Sequence, residues 1–401
     1  MGTIDTSMKS SGFFCCNKKF LNNNDIYIDN KYNVPNDIKK IKIIQKVIRG
    51  FLVRNRLNPR KILEIQEISM EYSTNSQENN PLMVRLNNLL PKFELTEKET
   101  YYINNTNLKI VALLYPNKTI YKGMINSKNL REGFGKLFLS DGSIYKGFFH
   151  NNQMNGRGRL LNKNGFVYEG EFKNGLSNGY GKYVALDGTT YKGLWLNNKQ
   201  SGLGEIIYPD GSKYNGNFLY GKKNGIGKLI FREKNMFDGN FVNNEICGEG
   251  AYYWKDGRVY IGFWSENKMC GYGIFIWPDK KKYYGKYVNN LKEGFGIFYW
   301  SDGHRYEGFW KEGKQHGYGC VIGNNNLKYG EWIRGNFNKK INDQNTIDII
   351  IKKINEAKCQ KDYKEFSENI EKYEKQIIDG SSSQDTNFNS KGIFKGCNNF
   401  D

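Results

Sequence analysis

Little in this chain advertises reactive chemistry. No hydrophobic run approaches the roughly 18 residues of a membrane-spanning helix, so the sequence predicts neither a transmembrane helix nor a signal peptide. Seven cysteines are scattered, at Cys15, Cys16, Cys247, Cys270, Cys320, Cys359 and Cys397, and none forms a Cys-x-x-Cys pair. That spacing excludes the common zinc sites and reads as a reduced, cytosolic set. Histidine is scarcer: only His150, His304 and His316, none within a ligand-spaced or acid–base constellation. Hydrophobic residues fill 38 % of the 401 positions, too few for a thick globular core. No catalytic residue, metal ligand or cofactor is predicted.

What is abundant is glycine, with 45 copies, and aromatic residues, at 15 %. They come in order. The stretch YKGLWLNNKQSGLGEIIYPDG, Tyr191 to Gly211, recurs along the chain. Its leading ring aligns at Tyr121, Tyr145, Tyr168, Tyr191, Tyr214, Phe237, Tyr260, Tyr283 and Tyr306, with a step of 23 residues after a first step of 24. A fixed period in this range marks a repeat architecture. Within a unit, ring, Gly and a second large apolar residue alternate with period two (Tyr145, Gly147, Phe149), the pattern of a strand with one buried face. Turn residues such as Asn-Asn follow, then Gly-x-Gly, an apolar run and most often Asp-Gly, a strong hairpin signal. Each unit therefore predicts two antiparallel strands. Glycine inside a strand normally weakens it; here the missing Cβ lets an aromatic ring lie on bare backbone. Cys247 and Cys270 occupy the same slot of successive units, about 10 Å apart by strand spacing, too far for a disulfide.

These residues resemble the MORN repeat, a 23-residue hairpin unit. The resemblance covers about 121–335 and implies an all-β repeat: an elongated, single-layer antiparallel meander of about nine hairpins, on the order of 85 Å long at strand spacing. It also implies a scaffold or tether, often a homodimer; the remaining segments hold no kinase glycine loop or catalytic acid cluster, so no enzyme is expected. Glu233-Lys234 and Asp279-Lys280 depart from the Asp-Gly turn. Gly216–Lys223 nearly spells a phosphate-binding loop but lacks the closing Ser/Thr and lies inside a hairpin.

Net charge is +19, and much of it is local. Nine Lys/Arg and no acid fall between Lys39 and Lys61, on a predicted amphipathic helix over 36–58 that ends before Pro59. Charge gathered on a helix argues against a nucleic-acid partner. Ile44-Gln45-x-x-x-Arg49-Gly50-x-x-x-Arg54 resembles the IQ motif. That resemblance implies binding of calmodulin or another EF-hand light chain: Ile44 as apolar anchor, Gln45 on backbone, Arg49 and Arg54 on acidic residues, and Gly50 allowing close approach. Ile48, Phe51 and Leu52 continue the apolar stripe. A helix lying on a membrane or packed on the sheet remains an alternative.

The N-terminus fits a myristoylation pattern, with Gly2 as acceptor. Cys15 and Cys16, beside Phe13-Phe14 and Lys18-Lys19, are candidate palmitoylation sites, because one acyl chain alone anchors only marginally. The predicted organisation is a flexible lipidated arm over 1–35, the basic helix over 36–58, a linker over 59–97, a degenerate half-repeat over 98–120 and the repeats over 121–335. An amphipathic helix follows over 341–378, to cap the open sheet edge, bind a partner helix or form a short coiled coil, then a disordered tail over 379–401. The function expected is a non-catalytic scaffold on the cytoplasmic face of a membrane, similar to protist MORN proteins of the pellicle. Alternatives are a soluble cytoskeletal or axonemal protein without lipid, and a regulator of lipid signalling that binds phospholipid through the sheet.

Overall fold

The structure, a computed structural model, describes residues 26–28 (backbone), 69–71, 73–323 and 326–370. They form two compact units that meet in sequence at Pro209 and Asp210. In the first, strands from Lys109–Leu114 to Lys199–Ile207 form a meander in which each pairs antiparallel with its chain neighbour. In the second, Lys213–Leu219 to Asn336–Ile341 do the same. The fold class predicted from the repeat is thus the one found. Cys247, Cys270 and Cys320 are free thiols.

Two kinds of turn alternate. The short ones place two residues at positive φ, as in Asn151 (47°) and Asn152 (66°), a type I′ geometry that matches strand twist and suits Asn. The longer ones put positive φ on a single residue, most often glycine, as at Gly142 (94°). There Gly142 N–H donates to Leu139 C=O at 3.0 Å, and the Asp141 carboxylate accepts from Ser143 N–H at 2.8 Å. The departures at Lys234 and Lys280 keep this conformation, with φ of 67° and 66°. The near-match to a phosphate loop resolves into two strands, Lys213–Leu219 and Lys222–Ile230.

The leading rings explain the glycines. Gly147 and Gly158 face each other across a strand pair, and the Tyr145 ring lies over both. A Cβ at Gly147 would sit 2.5 Å from the Tyr145 hydroxyl. The hydroxyl donates to Phe148 C=O at 2.9 Å. The ring meets Phe149 of its own hairpin edge-on at 5.2 Å and Phe172 of the next at 5.0 Å. So the ring covers its own strand's glycine as well as the neighbour's. The first glycine of Gly-x-Gly does something else: Gly156 takes φ of +87° beside a shift of register between Gly147 and Phe149. Where the short turn ends in Asn, a further stitch joins hairpins: Asn244 Oδ1 accepts from Lys223 N–H at 2.8 Å, and Asn267 Oδ1 from Ile246 N–H at 2.7 Å.

The opposite face of each unit is covered by helices, and here the segment boundaries differ from expectation. Residues 59–97 are not simply a linker: 73–78 and Pro81–Asn87 are helical. Met83, Leu86 and Leu90 are buried on Ile120, Phe138, Ile144, Leu161 and Val167 of the first unit. The apolar residues that looked sparse in that segment recur at helical spacing and find a partner in the sheet. The expected half-repeat over 98–120 begins as a helix, Glu97–Asn104, whose Thr96/Glu99 capping box outweighs the Tyr101-Tyr102 pair that suggested a strand. Ile26–Ile28, inside the expected flexible arm, pairs with Lys109–Leu114 as a strand. In the second unit the single C-terminal helix is two, Gln344–Lys358 and Lys361–Glu368, split at Cys359-Gln360. They cover a face, not an edge: Ile350, Ile354, Tyr363 and Phe366 are buried with Tyr272, Ile274, Tyr284 and Phe295. Rings on the sheet offer more apolar area than an edge of backbone groups, so the helices settle there.

Candidate interaction surfaces

The residues singled out for attachment lie outside the described residues: Gly2, Cys15 and Cys16, and Ile44, Gln45, Ile48, Arg49, Gly50, Phe51, Leu52 and Arg54. Among the described residues no group of three His, Cys, Asp or Glu is placed to hold a metal, and no helix is long and apolar enough to cross a membrane. The histidines lie at the surface: His150 Nδ1 contacts Glu132 at 2.8 Å, His304 Nδ1 contacts Asp302 at 3.0 Å, and His316 Nδ1 accepts from Arg334 N–H at 3.4 Å.

The ring face is filled by its own side chains. Tyr121, Tyr145, Tyr168, Tyr191, Tyr283 and Tyr306 are at most 2 % exposed, and burial pushes these phenols above the ordinary tyrosine range. One column of the repeat carries buried or half-buried lysines. Met154, Ile246 and Met269 stand where Lys223 and Lys292 stand, 23 residues or multiples of it apart. The Lys292 ammonium lies 4.6 Å from the Trp310 ring centre, 4.9 Å from Tyr283, 5.0 Å from Phe298 and 5.1 Å from Trp277. Burial pulls its pKa down to about 8.

The helix-covered face of the first unit carries a charged row. Register sets Lys122 opposite Lys136, Lys136 opposite Lys146, and Lys146 opposite Arg159. Like charges directly opposed destabilise a sheet, so each needs compensation. Lys136 pairs with Glu78 of the covering helical segment. Arg159, 4 % exposed, pairs with Glu169 and donates to Pro91 C=O. Lys122 Nζ donates to the Thr74 hydroxyl at 2.8 Å. On the neighbouring row Arg157 grips Glu99 through two bonds, 2.9 and 2.7 Å, and that bond holds the Glu99 carboxyl down to about 2. The remaining cation, Lys146, has the Phe93 ring centre 5.7 Å from its ammonium. Its pKa is lowered by burial first, then by Lys136, Arg159 and Lys92.

Above this row is a cavity of about 480 Å³. Lys136, Lys146 and Arg159 line its sheet side with Ile144 and Leu161, and Met83, Leu90, Phe93 and Glu78 its helix side. Reading charge by segment located the positive excess at 39–61 and overlooked this second concentration. The signal was in the alignment: the residue after the leading ring is Lys122 or Lys146, and the residue after Gly-x-Gly is Lys136 or Arg159. Only strand register turns those two columns into one row.

The family model for the MORN repeat matches nine times, at 127–144, 145–167, 168–190, 191–213, 214–236, 237–257, 260–282, 283–305 and 306–328. The chain therefore belongs to the MORN-repeat proteins, built on a repeat scaffold of a typically non-enzymatic kind. No curated protein matches it. Among solved structures it is similar to the TCP10 domain of CPAP from Danio rerio, at 12 % identity over 53 % of this chain and 96 % of that one, with a TM-score of 0.30. It is also similar to the SAS-4 (dCPAP) TCP domain of Drosophila melanogaster, solved with a proline-rich motif of Ana2, at 15 % identity over 48 % and 96 %, with a TM-score of 0.24. Likeness at that level carries no functional argument.

Proposed function

We propose that this MORN protein is a membrane-tethered scaffold that recruits a calmodulin-like EF-hand protein through residues 44–54 and presents its hairpin array to further partners. The observation that carries the reading is the five-position match Ile44, Gln45, Arg49, Gly50 and Arg54 inside a segment with nine Lys/Arg and no acid between Lys39 and Lys61. A basic amphipathic helix suits the apolar groove and acidic rim of an EF-hand lobe. Gly2 with Cys15 and Cys16 supplies the two acyl signals that stable attachment to a cytoplasmic membrane face requires. The repeats support the scaffold part, since their ring face is occupied by the protein's own side chains. Pull-down of the full chain with and without Ca²⁺ tests recruitment: Ile44→Asp is expected to lose the EF-hand partner, and undiminished recovery would remove the claim. Acyl labelling with membrane fractionation tests the anchor. Gly2→Ala is expected to release the chain to the soluble fraction, and a wild-type chain without acyl label would leave the soluble cytoskeletal alternative standing.

A further inference from the structure

Four cations line the cavity of the first unit: Lys136 and Arg159 are paired with carboxylates, Lys92 is exposed, and Lys146 lies in the charged row between the two paired cations. Glu78 meets Lys136, Glu169 meets Arg159, and Thr74 accepts from Lys122. Among the described residues the Lys146 ammonium has a ring face near it and feels the Glu78 carboxylate, but no carboxylate or hydroxyl is bonded to it. It sits between two cations by register, Lys136 on one side and Arg159 on the other, and faces a cavity of about 480 Å³. Lys92, Lys136, Lys146 and Arg159 against Glu78 leave the lining positive. A sheet that sets like charges opposite one another is relieved when an anion enters.

The rest of the lining narrows the anion. Ile144 and Leu161 form an apolar floor, and Met83, Leu90 and Phe93 an apolar wall. The volume lies in the range of small-molecule pockets and exceeds what a bare oxyanion fills. An ammonium beside a guanidinium suits a compact, doubly charged oxyanion. We infer that the cavity between helix Pro81–Asn87 and the strands Arg131–Phe138, Ile144–His150 and Gln153–Asn162 binds a phosphate monoester with an apolar body, anchored by the Lys146 ammonium. The phosphate lies at Lys146 between Lys136 and Arg159, and the body lies against Ile144, Leu161 and Phe93. A soluble phosphorylated compound and a lipid with a phosphomonoester headgroup share this chemistry. The site is independent of the light-chain reading, because none of its residues lies in 36–58.

The test is calorimetric titration of the full chain, at fixed salt, with inorganic phosphate, with adenosine monophosphate, and with phosphatidylcholine vesicles with and without phosphatidic acid. Saturable binding of adenosine monophosphate below millimolar, at least tenfold tighter than inorganic phosphate, is expected for a soluble source. Binding confined to phosphatidic acid vesicles assigns a lipid source. Lys146→Gln is expected to weaken binding at least tenfold and Lys146→Arg to retain it. Lys192→Gln, a lysine one residue after a leading ring but away from the cavity lining, is expected to change nothing. Removing a cation from a like-charged row does not threaten the fold, so an unchanged or raised melting temperature of unliganded Lys146→Gln checks that the loss is specific. The inference is overturned if no probe binds at millimolar concentration, if Lys192→Gln weakens binding as much as Lys146→Gln, or if inorganic phosphate binds as tightly as adenosine monophosphate.

Discussion

Lys292 occupies a slot that other hairpins give to Met154 or Met269, so Lys292→Met tests the energetics of the ring face with a side chain the fold already accepts. Burial lowers the lysine from 10.5 to about 8, a difference of 2.5 units. At about 1.36 kcal/mol per unit that is about 3.4 kcal/mol against the charged form. Four ring faces within 5.1 Å return up to about 2 kcal/mol. The methionine variant is therefore expected to be more stable at pH 7 by about 1–3 kcal/mol. The folded pKa lies below the unfolded one, so between about 8 and 10.5 the unfolded chain binds more protons and wild-type stability rises with pH. At pH 9.5 the advantage of the variant is expected to be smaller than at pH 7. Urea unfolding followed by tryptophan fluorescence at pH 7 and 9.5 reads both values. A variant no more stable than wild type at pH 7, or an advantage that does not change with pH, would refute the account.

Lys234→Gly and Lys280→Gly relieve a left-handed lysine at 67° and 66°. Each is expected to stabilise by about 0.5–1 kcal/mol after the added freedom of the unfolded glycine is subtracted, read by the same denaturation. Gly193→Ala would put a methyl 2.5 Å from the Gly204 Cα and 2.6 Å from the Tyr191 hydroxyl. It should cost about 3 kcal/mol or more, against about 1 kcal/mol for Gly211→Ala, where φ is +85° but the space is open; equal costs would show that ring contact is not what excludes the side chain. The buried phenols of Tyr121, Tyr145, Tyr168 and Tyr283 have raised pKa values in the fold, so their contribution is complete below pH 10 and lost as pH climbs. Phenolate absorbance from these four, isolated by Tyr→Phe difference spectra, should appear together with loss of the β signal in circular dichroism, and its appearance with the fold intact would contradict that.

Much of the fold was legible because it is periodic. Tyr145, Gly147 and Phe149 announce a strand with one apolar face, and Asn151-Asn152 and Asp141-Gly142 announce its two turns. What escaped was what pattern alone does not carry. The helices over 73–87 are short, and their buried Met83 and Leu86 become readable only against the sheet residues they cover. The break at Cys359-Gln360 follows no proline or glycine. The charged row needed register: Lys136 and Lys146 are 10 apart in sequence but directly opposite in space. The segments chosen for attachment, Gly2, Cys15, Cys16 and Ile44 to Arg54, rest on local motifs that a repeat period does not inform.

Tyr145 touches Phe149 of its own hairpin and Phe172 of the next in nearly the same geometry, and within each compact unit the junctions between neighbouring hairpins repeat it, as at Tyr168–Trp195 and Tyr283–Trp310. Excising a whole unit rejoins two surfaces that already match, whereas removing a few residues within one leaves rings facing occupied backbone. Length in such a chain is thus quantised: it can be gained or lost by duplication or deletion in steps of 23 residues, with each step leaving the remaining contacts intact.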